Sequence, residues 1–291
     1  MAIGFTEGTW DQTCSPVIPS PGALRQAFGV CSFACIATGC DEQSLENILS
    51  IHQSIPLPPQ RATDTHASDV NFPGFVWVEL GCHPKAAALF SLLNCAEAFA
   101  ALEKLETRLK VVAAEIGKRL VAWGEIGLDY SHPLFGTSKK NQWFQKEAFK
   151  RQIEIGMDLG LPLVIHSRAA WQDTMSILTK QVPRDYRIHV HCFWDTKSAM
   201  EELFSAFPKA VIGFSNNIFY AGDIPQELCR CIPLEHVVLE TDGPYLPRTG
   251  ARMSSPGDIP AIGRKVAELK GIPFEHVMDA VRQNVLRIYG I

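Results

Sequence analysis

The sequence predicts one (β/α)8 barrel of the α/β class, and three observations carry that expectation. Short apolar runs rich in β-branched and aromatic residues recur along the chain. Amphipathic helical patterns fill the intervals between them. Histidines and carboxylates then stand where several of the runs stop. Runs this short and this apolar suit strands covered on both faces. Their regular alternation with helices points to parallel strand–helix units rather than hairpins.

The elements follow in order. The first strand has only residues 3–10 to occupy, and it is weak because Gly4 and Gly8 interrupt it. A loop holding Pro16, Pro19 and Pro21 comes next. Residues 31–37 and 75–80 are the second and third strands, separated in part by a Pro- and Asp/Thr-rich stretch at 56–73 that reads as a surface insertion. Residues 120–123, 163–165, 188–190, 210–212 and 237–239 supply the remaining five. Among the helices, Phe144, Ala148, Ile155 and Leu159 share a broad face, and Gly160 is placed to end that helix. Ile259, Ile262, Val266 and Leu269 repeat at helical spacing before Gly271. Pro273 suits the first turn of a last helix that turns Val277, Val281, Val285 and Ile288 inward. No linker divides the chain, so residues 1–291 are expected to form a single domain.

Composition narrows the function classes. At 291 residues and 46% hydrophobic the chain can bury a large core, and 20% charged residues is not the composition of a disordered protein. The formal charge of −4 argues against broad electrostatic wrapping of nucleic acid, although it leaves room for a local basic cleft. Nine scattered cysteines, an odd number, are poor material for a disulfide framework. They read as small buried hydrophobes of a reducing compartment. No apolar run reaches the about 18 residues of a membrane span, and Met1-Ala2-Ile3-Gly4-Phe5 lacks the pattern of a secretory signal. A cytoplasmic or nuclear location without membrane contact is the expectation.

The chemistry lies in the residues at the run ends. His83 follows the third run in Gly81-Cys82-His83-Pro84, and Glu125 follows the fourth in Trp123-Gly124-Glu125. His166 follows the fifth and precedes Ser167-Arg168, His191 follows the sixth, and Asp242 follows the eighth in Glu240-Thr241-Asp242-Gly243-Pro244. Parallel barrel strands bring their C-terminal ends to one mouth, where barrel active sites sit. The successive intervals Glu125 to His166, His166 to His191 and His191 to Asp242 are 41, 25 and 51 positions, and they accommodate one, one and two strand–helix units. Taken singly, each residue has an ordinary explanation as a packed histidine, a cap or a turn. Four of them at equivalent strand ends favour a shared site. Mixed imidazole and carboxylate donors suit zinc, manganese or magnesium with coordination positions left for water. His189 faces the same side as His191. It lies about 6.6 Å deeper and reads as an interior supporting group.

With these motifs in view the chain resembles the TatD family of metal-dependent deoxyribonucleases, TIM barrels of the amidohydrolase-like type. Gly124-Glu125-Ile126-Gly127-Leu128-Asp129-Tyr130 and Glu240-Thr241-Asp242-Gly243-Pro244-Tyr245-Leu246 carry the resemblance, with Ile165-His166-Ser167-Arg168 and His191-Cys192-Phe193 in the family's order. Gly81-Cys82-His83-Pro84 and the His189–Phe193 spelling are closest to a eukaryotic branch. The resemblance implies one or two divalent ions, magnesium, manganese or zinc. Glu125 would bridge them, His166 and His191 would bind one and Asp242 the other. Glu125 and Asp242 would be catalytic, Asp242 taking the proton of water, and His83 and Arg168 would hold the substrate phosphate. The implied activity is phosphodiester hydrolysis of DNA, with RNA as a further substrate, as a 3′-5′ exonuclease.

One departure stands against this. The family's first strand ordinarily ends in Asp-Thr-His-x-His, whereas the matching region here reads Phe5-Thr6-Glu7-Gly8-Thr9-Trp10-Asp11, and the first histidine of the chain is His52. Asp64-Thr65-His66 imitates half the motif within the Pro-rich stretch. Three alternatives stay open: a one-metal enzyme, an inactive barrel that serves as a binding protein, or a chain whose assigned N-terminus is wrong. Hydrolysis of a small ester or amide is the other chemistry such a barrel supports.

Overall fold

A computed structural model describes residues 2–3, 34–55, 75–90, 93–133, 136–220 and 223–291. Its eight strands form one sheet in sequence order with every neighbouring pair parallel. They are β1 (Ala2–Ile3), β2 (Ala34–Gly39), β3 (Phe75–Leu80), β4 (Leu120–Asp129), β5 (Leu163–Arg168), β6 (Ile188–Val190), β7 (Val211–Phe214) and β8 (Val237–Leu239). The helices are α1 (Glu42–Ser54), α2 (Pro84–Phe90), α3 (Cys95–Ile116), α4 (Lys139–Asp158), α5 (Trp171–Gln181), α6 (Lys197–Ala206), α7 (Asp223–Cys231), α8 (Ile259–Lys270) and α9 (Phe274–Tyr289). This is the parallel, alternating strand and helix arrangement of a (β/α)8 barrel. Ladders connect β1 through to β8, and among the described residues none joins β8 back to β1.

Two apolar layers result from the period-two alternation of the strands. One set of strand residues packs outward against the helices, as Val78, Leu80, Ile165, Ile212 and Leu239 do. The other points into the barrel, where Ile36, Trp77, Val164, Val211 and Val238 meet Val285, Ile288 and Tyr289 of α9. The C-terminal helix thus closes the interior at the end away from the strand tips.

Several expectations are refined. The strands at 120–123 and 163–165 run on to Asp129 and Arg168, so Glu125 and His166 lie within ladders rather than past them. Hydrophobicity marks only the buried half of such strands, because the mouth half must carry polar residues. The second strand extends to Gly39 and the seventh is Val211–Phe214. Leu159 caps α4 and is exposed, while Phe144, Ala148 and Ile155 are buried. Pro273 is the residue before α9 rather than its first turn. Gly160 and Gly271 both take left-handed conformations at helix ends, as expected. All seven described cysteines are free. Cys35, Cys40, Cys82 and Cys229 are buried, but Cys95 and Cys231 are exposed. No described helix is long and apolar enough to cross a membrane. Residues 4–10, the Glu7 and Asp11 region, Cys14, Cys31 and the 56–73 stretch with His66 lie outside the described residues.

Candidate metal centre at the barrel mouth

Local backbone geometry is unusual where the strands open. Among the described residues four that are not glycine have positive φ: Ala169 at 52°, Cys192 at 40°, Asp242 at 54° and Leu246 at 52°. Three of them follow directly or closely on β5, β6 and β8. Conformations of this kind persist only where the surroundings over-determine them, and they gather at functional sites. Register also shifts between Trp123 and Ile126 on the β4–β5 pair, which re-aims Glu125. Gly127 then takes φ 144°, and any side chain there would overlap the His166 backbone.

The five strand-end residues expected from the sequence converge. Glu125 sits at the centre and is buried. His191 Nε2 is 3.4 Å from Glu125 Oε1 and 3.4 Å from Asp242 Oδ1. His166 Nδ1 and His83 Nε2 are each 3.8 Å from Glu125 Oε2. The rings of His83 and His166 meet edge to face with centroids 4.5 Å apart. Arg168, the sixth, is exposed at the rim of a cavity of about 250 Å³ shared with His166, His191 and Asp242.

Hydrogen bonds fix the imidazoles. His191 Nδ1 lies 2.8 Å from Glu240 Oε2 and donates to it. Glu240 also accepts the Cys192 backbone N–H. With Nδ1 committed to Glu240, the Nε2 of His191 faces two carboxylate oxygens, an arrangement that a ring proton or a cation between them stabilises. Donor separations of 3.4 Å match the edge of a tetrahedron whose arms are about 2.1 Å. His83 Nδ1 accepts the Lys85 N–H at 3.0 Å, which leaves its Nε2 to carry the proton towards Glu125. His166 Nε2 is buried without a hydrogen-bond partner, 3.5 Å from Asp129 Oδ2. Asp129 is itself held by the Ser131 N–H at 2.9 Å and the Ser131 hydroxyl at 2.6 Å.

Protonation preferences follow from this crowding. Burial alone would raise the Glu125 pKa, but His191 and the other imidazoles outweigh it and hold the carboxyl well below its usual range. Burial likewise opposes protonation of His191, yet Cys192 and the carboxylates of Glu125, Glu240 and Asp242 overcome it and raise the pKa. For Asp242 burial dominates and the pKa rises. His83 is pushed well below the normal imidazole value by burial and by His166, so it is neutral. A site that holds anionic carboxylates against histidines in this way has the electrostatics of a divalent cation site. The donors also separate into His83, Glu125 and His166 on one side and His191, Cys192 and Asp242 on the other.

Strand-end reasoning missed Glu240 and Asp129. Glu240 was legible, because it precedes Asp242 by two positions and so faces the same way one step deeper. That is the relation recognised between His189 and His191. The interior place expected for His189 is where it lies: its Nδ1 is 2.7 Å from the Tyr289 hydroxyl and its Nε2 is 3.5 Å from Glu240. His52 and His276 lie on α1 and α9, His236 on a helical turn before β8, and His132 in the segment after β4. His236 stacks on Phe204 at 4.0 Å and bonds the Ala210 carbonyl.

Comparison with known proteins bears on the family and the fold. The family model for TatD-related DNases matches residues 34–290. The human 3′-5′ RNA nuclease TATDN2 is 33% identical over 239 residues, 80% of this chain but only 29% of the human protein, so the chain spans less than a third of that relative. The human deoxyribonuclease TATDN3 is 30% identical over 221 residues, covering 74% of this chain and 75% of the relative. An uncharacterized amidohydrolase from Saccharomyces cerevisiae superposes over 91% of both chains with a TM-score of 0.72 at 18% identity, a likeness of fold.

Proposed function

The chain belongs to the TatD-related DNases, a family of metal-dependent hydrolases, and we propose on that footing that it hydrolyses phosphodiester bonds. The substrate is DNA, with RNA also accepted, and attack proceeds from the 3′ end. The observation that carries the reading is the convergence of Glu125, His166, His191 and Asp242 with the Arg168 guanidinium on the rim of the same cavity.

The donor set fits magnesium, manganese or zinc, with Glu125, His166, His191 and Asp242 as the holding residues. A bound divalent ion supplies Lewis acidity, acidifying a water and offsetting charge on the phosphate. Asp242 accepts the proton of the attacking water. Arg168 receives two phosphate oxygens on its planar fork. His83 donates a neutral N–H, orienting the phosphate without adding charge.

A catalytically silent binding barrel is the second reading, favoured by the absence of any histidine before His52. Elemental analysis of the purified protein, combined with cleavage of end-labelled single-stranded DNA and RNA, tests both. One or two ions per chain with loss of 3′ nucleotides is the expected result. Protein that takes up no added ion and leaves both oligonucleotides whole overturns the proposal in favour of the silent barrel. Turnover of small esters alone would replace the substrate class.

A further inference from the structure

An aromatic ring stands in the mouth beyond the metal donors. Trp194 is 43% exposed, although tryptophan is among the most costly side chains to leave in water. It lines the same cavity of about 250 Å³ as Arg168 and Asp242. Tyr220 supports it from behind, with ring centroids 6.4 Å apart at 41°. The Tyr220 hydroxyl is in turn tied to the Pro247 carbonyl at 3.0 Å. Trp194 is therefore braced on one side while part of it stays open.

A second observation on the same cavity concerns Asn217. Its Oδ1 accepts the Ser215 N–H at 3.3 Å, which settles the orientation of the amide. Its Nδ2 is left buried with no partner, although the residue is 0% exposed. Buried donors without partners are rare and costly, and Asn217 is one of the residues lining this cavity.

We propose that Trp194 is the stacking platform for the nucleobase adjoining the phosphate at the mouth, and that Asn217 Nδ2 donates to an acceptor on that base. This inference rests on the phosphodiesterase reading. Stacking suits an enzyme that accepts many sequences, since every base offers a π-face. Arg168 meets the phosphate on the same rim, so charge and ring address two parts of one nucleotide.

The test measures affinity of the full chain, with a chelator present to prevent cleavage, for a labelled trithymidylate and for its abasic counterpart. The parent is expected to bind the thymidine probe about tenfold more tightly than the abasic one. Trp194→Ala should abolish that preference and Trp194→Phe should keep most of it. Trp194→Leu retains apolar bulk without a π-face and should behave like the alanine variant, which guards against a folding artefact. Asn217→Ala should weaken only the thymidine probe. A parent that binds both probes equally, or a folded Trp194→Ala that keeps the tenfold preference, overturns the platform while leaving the phosphodiesterase reading standing. A parent that binds neither probe, with or without metal, and cleaves no oligonucleotide overturns both.

Discussion

His191 reaches the mouth directly after the three-residue strand β6, and such a short element cannot orient an imidazole by itself. Glu240 does so, through a 2.8 Å bond to Nδ1 that turns Nε2 towards Glu125 and Asp242. Partners of this kind fix the tautomer and basicity of a metal ligand, and losing one costs 10- to 100-fold in affinity as an order of magnitude. Glu240→Gln keeps the shape and removes the charge. We expect metal affinity to fall by about tenfold or more, read by competition with a chelating dye. Equal affinity in the variant and the parent would remove Glu240 from this role. Arg168→Lys tests the opposite side of the site. It preserves charge but loses the two-pronged fork, so oligonucleotide cleavage should weaken with metal content unchanged. If turnover is equal in the two proteins, Arg168 does not hold the phosphate. His83, Glu125, His166, His191 and Asp242 were all legible in the sequence because each ends an apolar run. Trp194 and Asn217 were not: an aromatic residue after a strand reads as core until its exposure is seen, and an unpartnered amide is a property of the fold.

At the scale of elements, the pairing of β7 with β8 shows how tightly the polar interior is built. Gly213 is paired with Val238, and a methyl group added at Gly213 would overlap the Glu240 carboxylate. The glycine therefore makes room for the group that holds His191. Gly213→Ala should destabilise the fold by about 1–3 kcal/mol through overpacking. It should also lower metal affinity, because Glu240 must move. Thermal unfolding and dye competition on the same sample check the two effects. A variant with parental stability and parental affinity would show that Glu240 has other space to enter. Strand positions were mostly readable from apolar runs, yet β4 and β5 extend beyond theirs. Their mouth halves carry Asp129, His166 and Arg168, whose backbone continues the ladder while their side chains break the pattern, and Glu125, which sits in the register shift between Trp123 and Ile126. Periodicity reports burial in apolar surroundings, and a catalytic strand end departs from it by design of its chemistry.

Across the whole molecule the barrel interior is layered. Ile36, Trp77 and Val211 pack against α9 at the closed end, and the metal donors occupy the mouth. Between them lies a polar layer in which Thr38 Oγ1 donates to Glu79 at 2.7 Å, and His189 bonds Tyr289 and approaches Glu240. Glu79 is fully buried, and its Oε2 has no hydrogen-bond partner. Burial first, and then the charge of Glu125, push its pKa from 4.5 to about 8. The folded chain therefore keeps a proton on Glu79 that the unfolded chain releases above pH 4.5. Stability from this group is complete below that value and is lost as pH rises towards 8. His189 works in the opposite sense. Burial lowers its pKa from 6.5 to about 4, so its contribution is present above 6.5 and is lost as pH falls through 4. The two effects oppose one another below pH 6.5, which leaves pH 6.5 to 8 as the window for isolating Glu79. Each pH unit corresponds to about 1.4 kcal/mol for one proton, so Glu79 should remove about 2 kcal/mol across that window. Glu79→Gln keeps an acceptor for Thr38 and cannot ionise. Its denaturant unfolding free energy, measured with a chelator present, should fall less steeply with pH than that of the parent by about this amount. Parallel pH profiles for the two proteins would mean that Glu79 does not hold its proton in the fold across this window, and would remove it as the source of the slope.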